Sequence, residues 1–454
     1  MANGQVYPRR RSIFSGLLLV LLGLLFLVHN FRGSSRIWFL LEHWWPLVFI
    51  LWGVAKLYDH FMAQRTGEAA PPTVSAGEVL LVLLLLGVVG SMGIYDYGMN
   101  HRGFGGIDFP GEDSYSFSES VPDRSIPANS RISIRTNRGN ITVHAEDAAQ
   151  LQVTARKTAH GFSQDEAQTR AGSVHLAVTP TDGGFIIEPQ GQNEVGGSLE
   201  VEMDVHVPKG VTLDASTDHG SIQITGVNGS ITSEARSGDT EIRQAGGDVS
   251  VDSHSGDVRV IGAAGNVKIS GRGTQVEISD VKGSATLDGE FYGPIRMSRV
   301  DKGIHFISAR SDLTVSQLGG RMETTGAGDM GVYDSTGNLT LSTSKRDLTL
   351  DNITGRIHVD NRSGNITVRF PQPPREPIEL ATQSGDIDIT MPSKSAFDVS
   401  GRADHGEISS DFSDSGLRTE SRSGNATIEG IFGSNGPKIQ LHTTYGTIRL
   451  RRGQ

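Results

Sequence analysis

The chain of 454 residues contains no cysteine. Disulfides, thiolate metal sites and a cysteine nucleophile are therefore excluded, and the compartment is left open. Aromatic residues are sparse, at 6%. The 14 histidines form no His-x-His and no His-Glu-x-x-His pair. Gly-x-Ser-x-Gly and the phosphate-loop Gly-Lys-Ser/Thr are absent as well, so zinc hydrolases, serine hydrolases and P-loop nucleotide enzymes lack their chemistry here. Gly103-Phe-Gly-Gly has neither the strand nor the helix that a nucleotide site requires. Positive charge is also short. The net charge is −10, and the last 344 residues hold 33 Lys/Arg against 45 Asp/Glu. An acidic, strand-rich domain is a poor nucleic-acid binder. No catalytic, cofactor-binding or metal-ligating residue is assigned, and no cofactor is expected.

What the chain has is glycine, 57 residues of it, in a regular array. Gly220-Ser-Ile-Gln-Ile is followed by Gly229-Ser-Ile-Thr-Ser, Gly238-Asp-Thr-Glu-Ile, Gly247-Asp-Val-Ser-Val, Gly256-Asp-Val-Arg-Val and Gly265-Asn-Val-Lys-Ile. The register slips by a residue around Gly273, Gly283, Gly293 and Gly303, then returns at Gly328, Gly337, Gly355 and Gly364. The mean repeat is nine residues. Glycine followed by Asp, Asn or Ser suits a turn, and Val258-Arg-Val260 or Val267-Lys-Ile269 alternates with the period of a half-buried strand. One such strand cannot bury its apolar face alone, so the units must stack. Arg236-Ser-Gly-Asp and His254-Ser-Gly-Asp turns alternate with Ala245-Gly-Gly-Asp and Ala263-Ala-Gly-Asn. The expected coil is therefore two units, about 18 residues, with one strand in each of two facing sheets. The expectation is parallel strands throughout Gly220–Arg369.

Three apolar runs precede this array, at about 13–31, 37–58 and 79–94, and read as transmembrane helices of a membrane domain, 1–95. All four tryptophans, Trp38, Trp44, Trp45 and Trp52, lie in the second. Glu42 and His43 read as polar residues at headgroup level rather than as a buried site. Arg9, Arg10, Arg11, Lys56 and Arg65 fall on one side of the bilayer against Arg32, Arg36 and Arg102 on the other. This bias favours a cytoplasmic N-terminus and, with three spans, an extracytoplasmic C-terminal domain. Gly16-Leu-Leu-Leu-Val-Leu-Leu-Gly-Leu-Leu-Phe-Leu with Trp44-Trp-Pro-Leu-Val-Phe-Ile-Leu-Trp-Gly resembles the small hydrophobic domain of bacterial Lia-type envelope-stress membrane proteins.

A glycine-rich tether is expected at 96–114, then the N-terminal part and cap of the β domain at 115–219. One helix there is expected after Ser163, acting as N-cap. The regular solenoid is placed at 220–370, and further coils and a cap at 371–454, where Gly385, Gly406, Gly424 and Gly446 recur at intervals of about 20. Gly139-Asn-Ile-Thr-Val, Val205-His-Val-Pro-Lys-Gly-Val, the repeated Ser-Gly-Asp-Val and Thr443-Thr-Tyr-Gly-Thr-Ile-Arg-Leu resemble the "putative adhesin" domain family of bacterial surface and membrane proteins. That resemblance implies a β-solenoid and brings no catalytic residues.

Two sharper readings fit the residues less well. Calcium-binding β-rolls need aspartate in consecutive turns. Here the post-glycine position reads Asp239, Asp248, Asp257, Asn266, Ser284 and Arg356, which favours turn residues over ligands. A polysaccharide lyase would gather charges such as Asp252, Arg259, Lys268 and Glu277 on one face, but outward charges are what any soluble sheet face carries. The expectation is a membrane-anchored, non-enzymatic interaction protein in the bacterial cytoplasmic membrane. It contacts the lipid bilayer through 13–94 and an envelope protein or polysaccharide through its β domain. An enzyme acting on envelope polysaccharide and a self-assembling scaffold are the alternatives.

Overall fold

The computed structural model describes residues 113–127, 129–161, 163–195, 199–326, 328–413 and 415–453. The helices expected at 13–31, 37–58 and 79–94 lie outside these residues, and among the described ones no helix is long and apolar enough to cross a membrane. The larger compact unit holds 116–159 and 168 onward and is nearly all strand. In the smaller unit the expected helix starts as read: the Glu166 amide donates to the Ser163 hydroxyl at 3.3 Å.

From Thr212 to Phe291 the strands alternate between two sheets. The first takes Ile222–Thr225, Thr240–Ala245, Val258–Ala263 and Val276–Val281. The second takes Thr212–His219, Ile231–Ala235, Val249–Ser253, Val267–Gly273 and Ala285–Phe291. Val258 pairs in parallel with Thr240 and Val276, and Val267 with Val249 and Ala285, each 18 residues away. The expected coil is therefore present. Val258, Val260, Val267 and Ile269 are fully buried, while Arg259 and Lys268 face out. Each buried Val or Ile contributes roughly 1.5–3 kcal/mol. The glycine that opens each coil is required by close approach. Gly256 has φ +126°, and a Cβ on it would lie 2.1 Å from the Gly238 carbonyl oxygen.

The parallel array does not run unbroken through Gly220–Arg369. Ile304–Ser308 turns back into Ser311–Val315, which runs antiparallel to it and to Leu339–Thr343. Leu318–Thr325 is antiparallel to both Pro294–Val300 and Met330–Ser335. Parallel pairing resumes with Leu348–Asp351 and Ile357–Ser363. One coil is thus threaded backwards. The cause is local: within nine residues after Gly303 the chain offers no glycine turn, only Ala309-Arg310, and it folds as a hairpin. The alternation survives reversal, with Leu313 opposite Phe306 and Leu341, and Met322 opposite Met297 and Val332.

The C-terminal coils are not stacked in chain order either. Lys438–Tyr445 sits between Ile378–Ser384 and Phe397–His405, and Ile448–Gly453 between Ile387–Pro392 and Ile408–Ser410. The excursion before it is held by an apolar cluster of Phe397, Phe412 and Phe432, with ring centroids 5.1–5.4 Å apart. At the other end Arg131–Arg138 and Ile141–Glu146 pair directly with Thr212–His219 and Ile222–Thr225. Outside them, Lys157 is buried against Glu119 at 2.6 Å and donates to the Ala171 and Val174 carbonyls.

Candidate interaction surface

The post-glycine residues form ladders that run from coil to coil. The Asp257 amide donates to Asp239 Oδ1 at 2.8 Å, and the Gln275 amide to Asp257 Oδ1 at 3.1 Å. In the alternate turns the Asn266 amide donates to Asp248 Oδ1 at 2.7 Å and the Ser284 amide to Asn266 Oδ1 at 3.0 Å. Beyond the reversed coil, Asn365 donates to Asp347, Asp386 to Asn365 and Thr447 to Asp386, at 2.6–2.9 Å. The needed property is one acceptor oxygen. At two positions without an Asp or Asn the next coil has no amide to offer, since Gln275 precedes Pro294 in the stack and Arg356 precedes Pro377; at Ser221 a hydroxyl accepts the Asp239 amide instead, at 3.3 Å. These oxygens are occupied by backbone amides, and among the described residues no group of three or more His, Asp or Glu is placed to hold a metal ion.

The four charges considered for a lyase cluster separate onto the two sheets. Asp252 and Lys268 stand on the second, Arg259 and Glu277 on the first. Arg259 Nε donates to Glu277 at 2.9 Å, which with the nearby carboxylates of Glu241 and Asp257 raises the already high guanidinium pKa. The outer row of the first sheet alternates in sign, Glu241, Arg259, Glu277, Arg296, Glu323.

Beside that row lies a column the glycine pattern conceals. Gly226, Gln244, Gly262, Asp280, Arg299, Asp334 and Asn352 all have φ between 51° and 82°. The ladder skips one residue at each coil, as between Arg243 and Ala245 opposite Ile261 and Ala263. These coils of the first sheet therefore bend at the same place, and because paired neighbours bend together the register between them is kept. Asn and Asp tolerate this backbone; Arg299 does so at a cost of about 1 kcal/mol. Arg299 is gripped by Asp280 in two bonds of 2.6 and 2.7 Å, which hold the Asp280 carboxyl below the usual range.

Where the reversed coil interrupts this column the surface opens. A shallow depression of about 350 Å³ is lined by Glu277, Arg296, Ser298, Arg299, Arg321, Glu323 and Asp334, with backbone at Gly319-Gly320. Arg321 pairs with Glu323 at 3.5 Å and covers the Tyr333 ring at 4.6 Å. Glu277 was in view from the sequence. The other lining residues were not, because only a reversed strand brings Arg321 and Glu323 beside Ser298 and Arg296.

Residues 129–451 match the family model Toastrack DUF4097. The chain belongs to that family. Residues 14–99 match the LiaF transmembrane domain, which marks this Toastrack chain as a membrane protein. Both resemblances seen in the sequence are met by these matches. No curated protein matches. Among solved structures, a "putative cell adhesion protein" from Clostridium sporogenes aligns at 7% identity over 75% of this chain and 100% of its own, with a TM-score of 0.17. A "putative adhesin" from Bacteroides fragilis aligns at 11% identity over 74% and 97%, with a TM-score of 0.21. Likeness at that level carries no argument, and the Toastrack assignment rests on the family match.

Proposed function

We propose that this Toastrack protein is a non-enzymatic interaction module, anchored by residues 13–94 in the cytoplasmic membrane and presenting its solenoid on the extracytoplasmic side, where it serves adhesion, envelope scaffolding or envelope-stress sensing. The observation that carries the reading is the joining of a LiaF transmembrane match to a Toastrack match in one chain. The sheet faces support it. Their ionisable groups are spread along coil-to-coil ladders and paired with each other, rather than converging as acid and base.

The C-terminal end speaks against a scaffold built by end-to-end stacking. Its edge strand in the first sheet, Ile408–Ser410, has three residues, and that in the second, Leu417–Arg422, shows Arg418 and Arg422 to solvent with Glu420 half-buried between them. Short and charged edges are how sheets avoid pairing with other chains. The test is a pair of alkaline phosphatase fusions. A fusion after Gln454 is expected to be active and one at Gly67 inactive. The opposite pattern puts the solenoid in the cytoplasm and removes adhesion and outward sensing together.

A further inference from the structure

We propose that the depression at the reversed coil is a binding subsite for an acidic saccharide unit, a hydroxylated ring bearing one carboxylate. This rests on the interaction reading above and names the ligand class of its surface. Three observations converge on the same few residues. First, Gly319 is a glycine that the fold does not require. Its φ is outside the left-handed region, and a Cβ would meet only the Asp334 carbonyl oxygen, at 3.4 Å. Its neighbour differs, since a Cβ on Gly320 would come within 2.3 Å of the Tyr333 carbonyl oxygen. What the bare Gly319 does is keep the depression open.

Second, Arg296 stands between Glu277 and Glu323 in the ladder and forms an ion pair with neither, nor with any other described residue. Glu277 is engaged by Arg259 and Glu323 by Arg321, so the Arg296 fork is left over. Third, Arg299 is the one cationic side chain in the left-handed column, and Asp280 holds its guanidinium in two bonds at the rim. Strained positions of this kind gather at binding sites.

The ligand follows from what remains free. An unpaired guanidinium takes a carboxylate in a two-bond, charge-assisted fork. The Glu323 carboxylate, met by Arg321 at one oxygen, the Asp334 carboxylate, which accepts from Asn352 Nδ2 at one oxygen, and the Ser298 hydroxyl keep lone pairs that accept hydroxyl donors. Three arginines face three carboxylates in the lining, so a polyanion gains no net attraction. A peptide strand has no edge to join, because Pro294–Val300 and Leu318–Thr325 are each paired on both sides. A sugar ring with one carboxylate and several hydroxyls satisfies all these groups.

The test titrates the full-length protein in detergent micelles by calorimetry with three probes: an aldobiuronic acid, maltose and an acidic dipeptide. The aldobiuronic acid is expected to bind at least about tenfold more tightly than either of the others. Gly319→Leu, which fills the depression, and Arg296→Gln are each expected to weaken it by about tenfold or more while the melting temperature stays put. Lys268→Gln, on the other sheet, is expected to leave it unchanged. Absence of aldobiuronate binding at millimolar concentration, equal binding by Gly319→Leu and the parent, or preference for the dipeptide overturns the proposal. Any of these leaves the fusion result intact, so failure of the subsite and failure of the membrane-display reading are told apart.

Discussion

The stack from Thr212 to Phe291 and the reversed coil at Ser311–Thr325 bury the same kind of core by different means. In the regular stack every coil repeats one surface bond, a side-chain oxygen accepting the amide 18 residues on. Each such bond is worth about 1 kcal/mol and none is indispensable. The reversed coil, whose strands run the other way, meets those ladders at Ser316, whose hydroxyl accepts the Asn338 amide at 2.8 Å. Its place is held by one buried side chain. Arg346, 4% exposed, donates from Nε to Ser311 Oγ at 2.8 Å and from Nη1 to Thr324 Oγ1 at 2.7 Å and the Gly328 carbonyl at 2.8 Å. Nη2 reaches the Gly326 carbonyl at 2.5 Å. No carboxylate pairs with it among the described residues; burial, with Arg310 nearby, lowers its pKa. Regularity distributes stability over many replaceable contacts, and its interruption concentrates stability in one.

The largest expected effects test whether the two regions share one core. Val260 and Leu313 are both fully buried, and an aspartate at either would be an unpaired buried charge. Val260→Asp and Leu313→Asp are each expected to cost about 4 kcal/mol in denaturant titration. A much cheaper Leu313→Asp would mean that the reversed coil is a loose appendage. Arg259→Asp, beside Val260 on the outer face, sets Asp against Glu277 and Glu241 and is expected to cost about 1 kcal/mol or less.

Next comes the anchor. Arg346→Met keeps the bulk but strands Thr324 and two carbonyls and leaves the Ser311 hydroxyl with Thr343 alone, at an expected cost of roughly 3 kcal/mol. Hydrogen exchange should then quicken in Ser311–Thr325 and stay slow in Val249–Ile269. Uniform quickening would show that Arg346 does not act locally.

Single rungs of the ladder should matter least. Asp257→Ala removes the acceptor of the Gln275 amide and is expected to cost about 1 kcal/mol, whereas Asp257→Asn keeps that oxygen and should be nearly neutral. Millimolar calcium should leave the melting temperature unchanged in both. A calcium-dependent rise lost in Asp248→Asn/Asp257→Asn would reinstate a metal row.

Acid probes the C-terminal ladder. Burial pushes the Asp386 carboxyl upward, but the Thr447 amide and Arg449 outweigh it and leave the pKa below the usual carboxylate range. A depressed folded pKa stabilises above the unfolded value, and that contribution is lost as pH falls through the folded one. Asp386→Asn should therefore flatten the acid limb of stability below about pH 4. An unaltered limb would remove Asp386 from the account.

Some of this was legible in the residues. Val258, Val260, Val267 and Ile269 point inward because a period of two within a period of nine leaves no other way to bury them. The two turn types named the 18-residue coil. From the sequence Asp257 reads as a residue shaping its own turn; in the structure its oxygen serves the next coil, and a single unit contains no sign of that. The left-handed column escaped notice because Gln244, Asp280 and Arg299 do not look alike. The depression escaped because its walls are set by a change of direction.

What the sequence determined by itself is the repeat: its length, its two alternating turns, its inward and outward faces and the apolar runs before it. Each of these follows from neighbours within a few residues, where glycine's freedom and the alternation of a strand act directly. Only the tertiary structure decided the order in which coils stack. Every coil carries much the same apolar edge, so Ile439 and Leu441 fit beside Ile378 and Leu380 as well as beside any other pair. The choice falls to contacts far apart in the chain, such as the Phe397–Phe412–Phe432 cluster and the reach of Arg346 into the reversed coil.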